Sequence, residues 1–226
     1  MRRFIVYTLG VLLAGGCGEV DPVEISQEEF FSLSVGDYFI YEIEEIQYSA
    51  FNPPVSLEYE LRVDVVDSFI NSEESTSFVI SRSIRPNEND PWIYEDTWST
   101  YFNGQVSIVN EGNIAYAKLQ LPLAVGSSWD GNKFNILPED LYRIESLNEP
   151  FSVSPEVTFE NCAVINQSDE RNLLFIDERV EVYAFNIGLV YKESNVVEFN
   201  TSGGLPGTQI IGGYYWKQVL LEYGQE

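Results

Sequence analysis

The stretch LEYELRVDV, residues 57–65, decides the fold class of this chain. Its odd-numbered positions are apolar and its even-numbered positions are charged, without exception over nine residues. A period of two places the two sets on opposite faces of a β-strand, whereas a helix would scatter them around its axis. We therefore expect one set to face the core together: Leu57, Tyr59, Leu61, Val63 and Val65.

Similar stretches follow along the chain, and breakers such as PNENDP (86–91) and GGLPG (203–207) separate them. The pair Asn103-Gly104 predicts a hairpin with a type I′ turn between two of the stretches. Only SQEEFFSL (26–33) suggests a short turn of helix. The remaining predicted strands, about ten with the hairpin counted as two, cover residues 37–49, 77–85, 98–110, 113–123, 140–147, 156–167, 178–185, 188–200 and 210–224.

This pattern predicts an all-β fold. Short connections between successive strands favour a meander, that is, a single large antiparallel sheet. Strands of this length must twist and curl strongly, so we expect an incomplete or closed barrel. A two-sheet sandwich is the alternative.

The composition argues against several classes of function. Acidic residues outnumber basic ones by 36 to 12, a formal net charge of −24, which repels nucleic acid and anionic membrane surfaces. The chain has no histidine, which removes histidine-based nucleophile systems and metal sites. Two cysteines are too few for a cysteine zinc site. We expect no cofactor and no metal.

The first 16 residues have the organisation of an export leader. Arg2 and Arg3 precede an apolar run of 11 residues (4–14), which is too short to span a bilayer, and two glycines lead to Cys17. The sequence before Cys17 resembles the lipobox of bacterial lipoproteins, which implies cleavage there and acylation of the new N-terminus. We expect a signal peptide (1–16), an acidic tether (17–27) and one β domain (28–226).

The other cysteine, Cys162, lies in the strand-like stretch VTFENCAVINQ. Acylation of Cys17 would leave it without a disulfide partner inside the chain. Its neighbours are acidic or neutral, and a reactive thiol needs basic surroundings. We therefore interpret Cys162 as a small buried residue.

From Phe30 to Tyr223 the chain resembles a group of uncharacterised bacterial lipoproteins. The stretches that carry this resemblance are FFSLSVGDYFIYEIEEIQY, PLAVGSSWDGNKFN, EVYAFNIGLVYKE and LLEYG. The group often has Trp where Phe39 stands here. The resemblance implies an anchored protein of the cell envelope, most simply at the outer membrane, and it implies no activity.

Three functions stay open at this level. The favoured one is a lipid-anchored, non-enzymatic envelope domain that is structural or binds an envelope protein, a glycan or an apolar ligand. The second is a half-barrel carrier or chaperone for an apolar ligand such as a lipid or a lipoprotein. The third is a carboxylate-based glycan hydrolase.

The shape of the interior distinguishes these three functions. A filled interior favours the first, an uncovered apolar face favours the second, and a cleft with two facing acids and a tryptophan favours the third. The aromatic candidates for facing a ligand are Trp92, Trp98 and Trp129.

The leader generates the first testable prediction. The substitution Cys17→Ser should move the protein from the membrane fraction to the soluble fraction, because it removes the sulfur that would carry the lipid. Cys162→Ser serves as the control and should leave the protein in the membrane fraction. Intact-mass spectrometry of membrane-bound protein with an unmodified Cys17 would refute the assignment.

Overall fold

The computed structural model describes residues 27–201, 207 and 209–226. The predicted leader, Cys17 and nearly all of the predicted tether lie outside the described residues. A short 3-10 helix (Gln27–Phe30) comes first. Twelve strands follow, namely β1 (Asp37–Ser49), β2 (Val55–Ile70), β3 (Thr76–Arg85), β4 (Ile93–Phe102), β5 (Val106–Glu111), β6 (Ile114–Gln120), β7 (Ser128–Asp130), β8 (Leu141–Ser152), β9 (Thr158–Arg171), β10 (Phe175–Ala184), β11 (Gly188–Phe199) and β12 (Ile210–Gln225).

All twelve strands belong to one antiparallel sheet in the order β6-β5-β4-β3-β2-β1-β12-β11-β10-β9-β8-β7. The sheet is thus two meanders, β1–β6 and β7–β12, which the pairing of β1 with β12 joins at the centre. Bulges, for example between Ile40 and Tyr41, add twist to the long strands. The predicted all-β, curled antiparallel sheet is confirmed, and the alternative two-sheet sandwich is not formed.

The sheet nearly closes into a barrel, with a seam between its edge strands β6 and β7. The backbone N–H of Ala117 donates to the carbonyl of Gly131 (2.9 Å), and the indole N–H of Trp129 donates to the carbonyl of Ala117 (2.9 Å). Asn135 Nδ2 donates to the carbonyl of Ala115 (2.9 Å). A Cβ at position 131 would collide with the ring of Tyr142 on β8, so the packing of this ring against the backbone beside the seam requires glycine there.

The alternation in β2 is confirmed in part. Leu61 and Val65 are buried at 2% exposure each, and Tyr59 and Val63 pack against the core. Leu57 is 45% exposed, so the expectation that all five residues are buried together was wrong at this position. Leu57 lies near the start of the strand, where β2 extends past the packed part of the interior.

The hairpin predicted at residues 98–110 is present as β4 and β5, but its turn differs from the prediction. A type I′ turn needs positive φ at two residues, and here Gly104 alone of the pair has it (φ 91°). The side-chain Oδ1 of Asn103 instead accepts hydrogen bonds from the N–H groups of Gln105 (3.1 Å) and Val106 (2.9 Å). The loop is therefore an Asx-type turn of three residues.

The hairpin of β8 and β9 bends towards β11, two strands away from β9 in the sheet. Three register shifts interrupt its ladder, and the ring of Phe151 on β8 packs against Tyr191 on β11 at 5.3 Å. Cys162 belongs to the same apolar cluster as Phe151 and Tyr191 and has no exposure, and burial raises the pKa of its thiol to about 11. The interpretation of Cys162 as a small buried residue is confirmed.

The segment of residues 27–33 covers one end of the barrel. Phe30, 1% exposed, meets Phe185 edge-to-face at 5.6 Å. The Gln27 side chain both donates to and accepts from the backbone of Leu123 (3.0 and 2.7 Å). We call the end of the barrel where β1 begins and β10 ends the covered end. The opposite end is called the open end.

Among the described residues, no helix is long and apolar enough to cross a membrane.

The β2 assignment generates a stability prediction. Leu61→Asp should lower the free energy of unfolding by several kcal/mol, because it places an unpaired carboxylate in the core. Leu57→Asp makes the same change on the same strand at a half-exposed site, and it should cost much less. Urea unfolding of the two variants measures the difference, and equal midpoints would contradict the placement of Leu61.

Candidate functional site

The barrel interior contains a cavity of about 450 Å³. This volume lies within the range of roughly 300–1,000 Å³ typical of small-molecule sites. Every strand except β7 contributes to its wall, together with residues 31–33 of the covering segment. Exposed residues belong to the wall at both ends, namely Tyr214 (41% exposed) near the start of β12 and Ser32 in the covering segment, and the cavity is open to solvent.

The cavity wall has two chemically different halves. The half formed by β1–β4 is mainly apolar, and Phe31 and Leu33 extend it at the covered end. The half formed by β5–β12 contains most of the polar groups. The apolar half includes Phe39, Tyr41, Leu61, Val63 and Ile80, and the polar half includes Glu111, Lys118, Gln167, Glu181, Lys192 and Gln218.

An ionic cluster of four residues forms the centre of the polar half. Lys118 Nζ lies 2.8 Å from a carboxylate oxygen of Glu111 and 3.0 Å from Oε1 of Glu181. Lys192 Nζ lies 3.3 Å from the same oxygen of Glu181. The hydroxyl of Tyr183 donates to the other oxygen of Glu181 at 2.7 Å. Each buried charge therefore faces at least one opposite charge, as burial requires.

The pKa shifts of Glu111, Lys118 and Glu181 favour the charged form of each group. Burial opposes the charge of Glu181, but Lys118 and Lys192 outweigh it and lower the pKa of this carboxyl to about 2. Burial likewise opposes the charge of Lys118, yet the two glutamates raise its pKa. The pKa of Glu111 is lowered because Lys118 and Lys192 overcome the effect of burial. Lys118 and its two glutamates thus hold one another in their charged forms.

Two arginines of the wall are fixed by partners of their own. Arg179 makes a bidentate contact with Asp140 (2.8 and 2.9 Å) and bonds to Asp177 (2.6 Å). Arg82 pairs with Asp96 at 2.8 Å and lies 3.8 Å over the ring of Trp98. Both guanidinium groups are therefore held in place by carboxylates.

Two buried nitrogens of the wall have no hydrogen-bond partner among the described residues. They are Nε2 of Gln167 and Nε1 of Trp216. Gln167 is only 5% exposed, and Trp216 contacts Tyr59 edge-to-face at 6.3 Å. Buried polar groups are nearly always satisfied, so each of these two calls for an explanation.

The three tryptophans singled out from the sequence lie in different places. Trp98 is on the cavity wall. Trp129 is 4% exposed and packs in the core beside the seam, edge-to-face with Tyr142 at 6.1 Å. Trp92 lies under Arg85, whose guanidinium carbon is 4.2 Å from the ring centre. Trp216 and Gln167, which are on the wall, were not among the sequence candidates.

The two acidic residues of the cavity wall, Glu111 and Glu181, do not have the protonation states that a glycan hydrolase needs. Such an enzyme requires one carboxyl group with a raised pKa, which protonates the leaving oxygen. The pKa values of Glu111 and Glu181 are both lowered, and Lys118 binds both carboxylates.

Among the described residues, no cluster of His, Cys, Asp or Glu could hold a metal ion.

Comparison with protein-family models and with curated proteins finds no match. Two solved structures are similar in fold. One is a protein of Bacteroides fragilis NCTC 9343 that is provisionally assigned as exported and has a YmcC-like fold. Its sequence is 13% identical and its TM-score is 0.48, and the superposition covers 87% of this chain and 99% of that one. The other, from Parabacteroides distasonis ATCC 8503, is provisionally assigned as a lipoprotein, at 14% identity and TM-score 0.45, covering 86% and 98%.

The ionic cluster generates a second stability prediction. Lys118→Met should lower the free energy of unfolding by about 3–5 kcal/mol, because it leaves the buried carboxylate of Glu181 and the partly buried one of Glu111 with incomplete compensation. Adding Glu181→Gln to this variant should recover part of the loss. Lys133→Met, at an exposed loop position, is the control and should change stability by less than about 0.5 kcal/mol. Equal denaturation midpoints for the two single variants would contradict this account.

Proposed function

We propose that this chain is an exported, lipid-anchored binding protein that holds a small, mainly apolar ligand inside its barrel. The observation that carries the proposal is the cavity of about 450 Å³ with one apolar half. Protein interiors normally pack as densely as organic crystals, and an unfilled apolar space weakens the fold. A cavity that extends between the two ends of a barrel and reaches solvent is typical of a ligand site.

Of the three functions left open by the sequence, the carrier agrees best with this interior. A purely structural domain has no use for an unfilled centre. The hydrolase is disfavoured because both acids on the wall are held ionised by Lys118. We therefore infer binding without turnover, with an apolar molecule as the ligand.

The proposed anchor would fix how the cavity faces its surroundings. The predicted tether leads into residues 27–33, which cover one end of the barrel. Lipid on Cys17 would thus hold the covered end toward the membrane, most simply the outer membrane. The open end would then face the aqueous side of the envelope, where a ligand could be received from another carrier.

The proposal predicts saturable binding of an apolar dye. The full-length Cys17→Ser form should bind N-phenyl-1-naphthylamine with one site per chain, seen as a rise in dye fluorescence. Val63→Trp adds a large side chain to the cavity wall, so it should fill part of the site and weaken dye binding at least tenfold. A tenfold loss corresponds to about 1.4 kcal/mol of binding free energy.

Val66→Trp is the matched control, since Val66 is on the same strand and is 52% exposed. This variant should bind the dye as the parent does. Circular dichroism and thermal unfolding verify that both variants are folded. Equal dye affinity in the two folded variants, or no saturable binding by the parent, would refute the proposed function.

A further inference from the structure

We propose that Phe31 and Leu33 of the covering segment form a gate, past which the ligand enters and leaves the barrel at the covered end. This inference rests on the proposed binding function and adds the route by which the ligand is exchanged. The gate separates the cavity of about 450 Å³, here called the first cavity, from a second and smaller one.

The second cavity has a volume of about 220 Å³ and adjoins the first. Three of its wall residues also belong to the wall of the first cavity, so they form the partition between the two spaces: Phe31, Leu33 and Thr100. The rest of its wall is mainly aromatic, which suits the passage of an apolar ligand. It consists of Thr76, Phe78, Tyr101 and Phe102.

The two cavities are consecutive parts of one barrel interior. On β3, Ile80 lines the first cavity, whereas Phe78 and Thr76 line the second at alternate positions on the same face of the strand. On β4, Thr100 lines both cavities and Phe102 lines the second. Phe78 pairs with Thr100 in the ladder, so both strands continue the same wall. The exposed Thr76 begins β3, so the second cavity lies at the covered end, next to solvent.

The covering segment is fastened on both sides of this partition. The N–H of Asn186 donates to the carbonyl of Glu29 (2.9 Å), and the N–H of Gly36 donates to the carbonyl of Val65 (2.8 Å). Among the described residues, no backbone hydrogen bond joins residues 31–33 to a strand. The part of the chain that carries the gate is therefore a short strap between two fixed points.

Apolar packing positions the two gate side chains. The ring centre of Phe31 lies 6.3 Å from that of Tyr183, and Leu33 packs against the cluster that contains Leu61 and Val182. Each gate side chain faces both cavities and thus has unfilled space on two sides, unlike a side chain in a close-packed interior. Segments with few hydrogen bonds and few apolar contacts open at low cost in free energy, so the strap can move while the barrel stays folded.

The chemistry of the two ends favours the covered one as the route. Glu111 ends β5 and Arg179 lies in the first half of β10, so both charged residues line the first cavity toward the open end. Among the described residues, no charged side chain lines the second cavity. An apolar ligand that passes the gate therefore contacts aromatic and aliphatic groups, whereas the opposite route leads past charges.

The test measures how fast N-phenyl-1-naphthylamine enters and leaves the full-length Cys17→Ser form, by stopped-flow fluorescence. Thr76→Trp adds a large side chain to the wall of the second cavity and leaves the wall of the first unchanged. We expect it to slow association and dissociation alike, each about tenfold, with the dye affinity at equilibrium unchanged.

Phe31→Ala removes the larger gate side chain and should raise both rates about tenfold, because the partition no longer closes. A ring that merely contacts the ligand would change the dissociation rate alone, so the rise in association rate distinguishes a gate from a contact. Thr76→Phe and Phe31→Leu are smaller changes of the same kind, and they replace a variant that fails to fold.

Val66→Trp and Phe69→Ala are the matched controls, because both residues are about half exposed on β2 and neither lines a cavity. Both should exchange the dye as the parent does, and circular dichroism verifies that all variants are folded. Unchanged rates in either folded test variant would overturn this inference by placing exchange at the open end, while saturable dye binding upheld the proposed function. A parent without saturable dye binding would overturn both.

Discussion

The rest of the site depends on a single buried ammonium group, that of Lys118. Its carboxylate partners are Glu111 on β5 and Glu181 on β10, so its contacts connect the two meanders across the interior near the seam. Ion pairs of this kind add little net stability over a well-packed apolar core, because desolvation offsets the attraction. What they provide here is a fixed polar half for a cavity whose other half is apolar. The seam itself has few backbone hydrogen bonds, so this interior contact helps to set how far the sheet closes.

The architecture could be predicted from the sequence because strand alternation is a local property. The period of two in β2, the Asn103-Gly104 loop and the turn residues between strands sufficed for a curled antiparallel sheet. The three-residue strand β7 was missed because its residues, Ser128–Asp130, form part of a stretch rich in turn formers. Its place beside β8 depends on the seam, which is a contact between distant parts of the chain.

The site could not be predicted by the same reasoning, for a physical reason. Alternation assigns charged residues to the solvent face, and Lys118 and Glu181 each have apolar neighbours on both sides in the sequence. In the barrel these two residues point inward, because each compensates the charge of the other across the cavity. The ion pair between Lys118 on β6 and Glu181 on β10 cannot be recognised from the sequence of either strand alone. The same holds for Gln167 and Trp216, whose place on the cavity wall depends on the closure of the sheet and not on the sequence around either residue.

The central position of the β1 and β12 pair affects the order in which the molecule can form. Asp37 pairs with Gln225, 188 residues later, so one edge of β1 has no neighbour until β12 has been made. Each meander can assemble from local hairpins, but contacts between such distant strands form slowly. A chain that is threaded through a translocation channel with its N-terminus first would therefore stay open for most of its passage. It would complete the barrel only when β12 emerges, so this topology suits a protein that must remain unfolded during export.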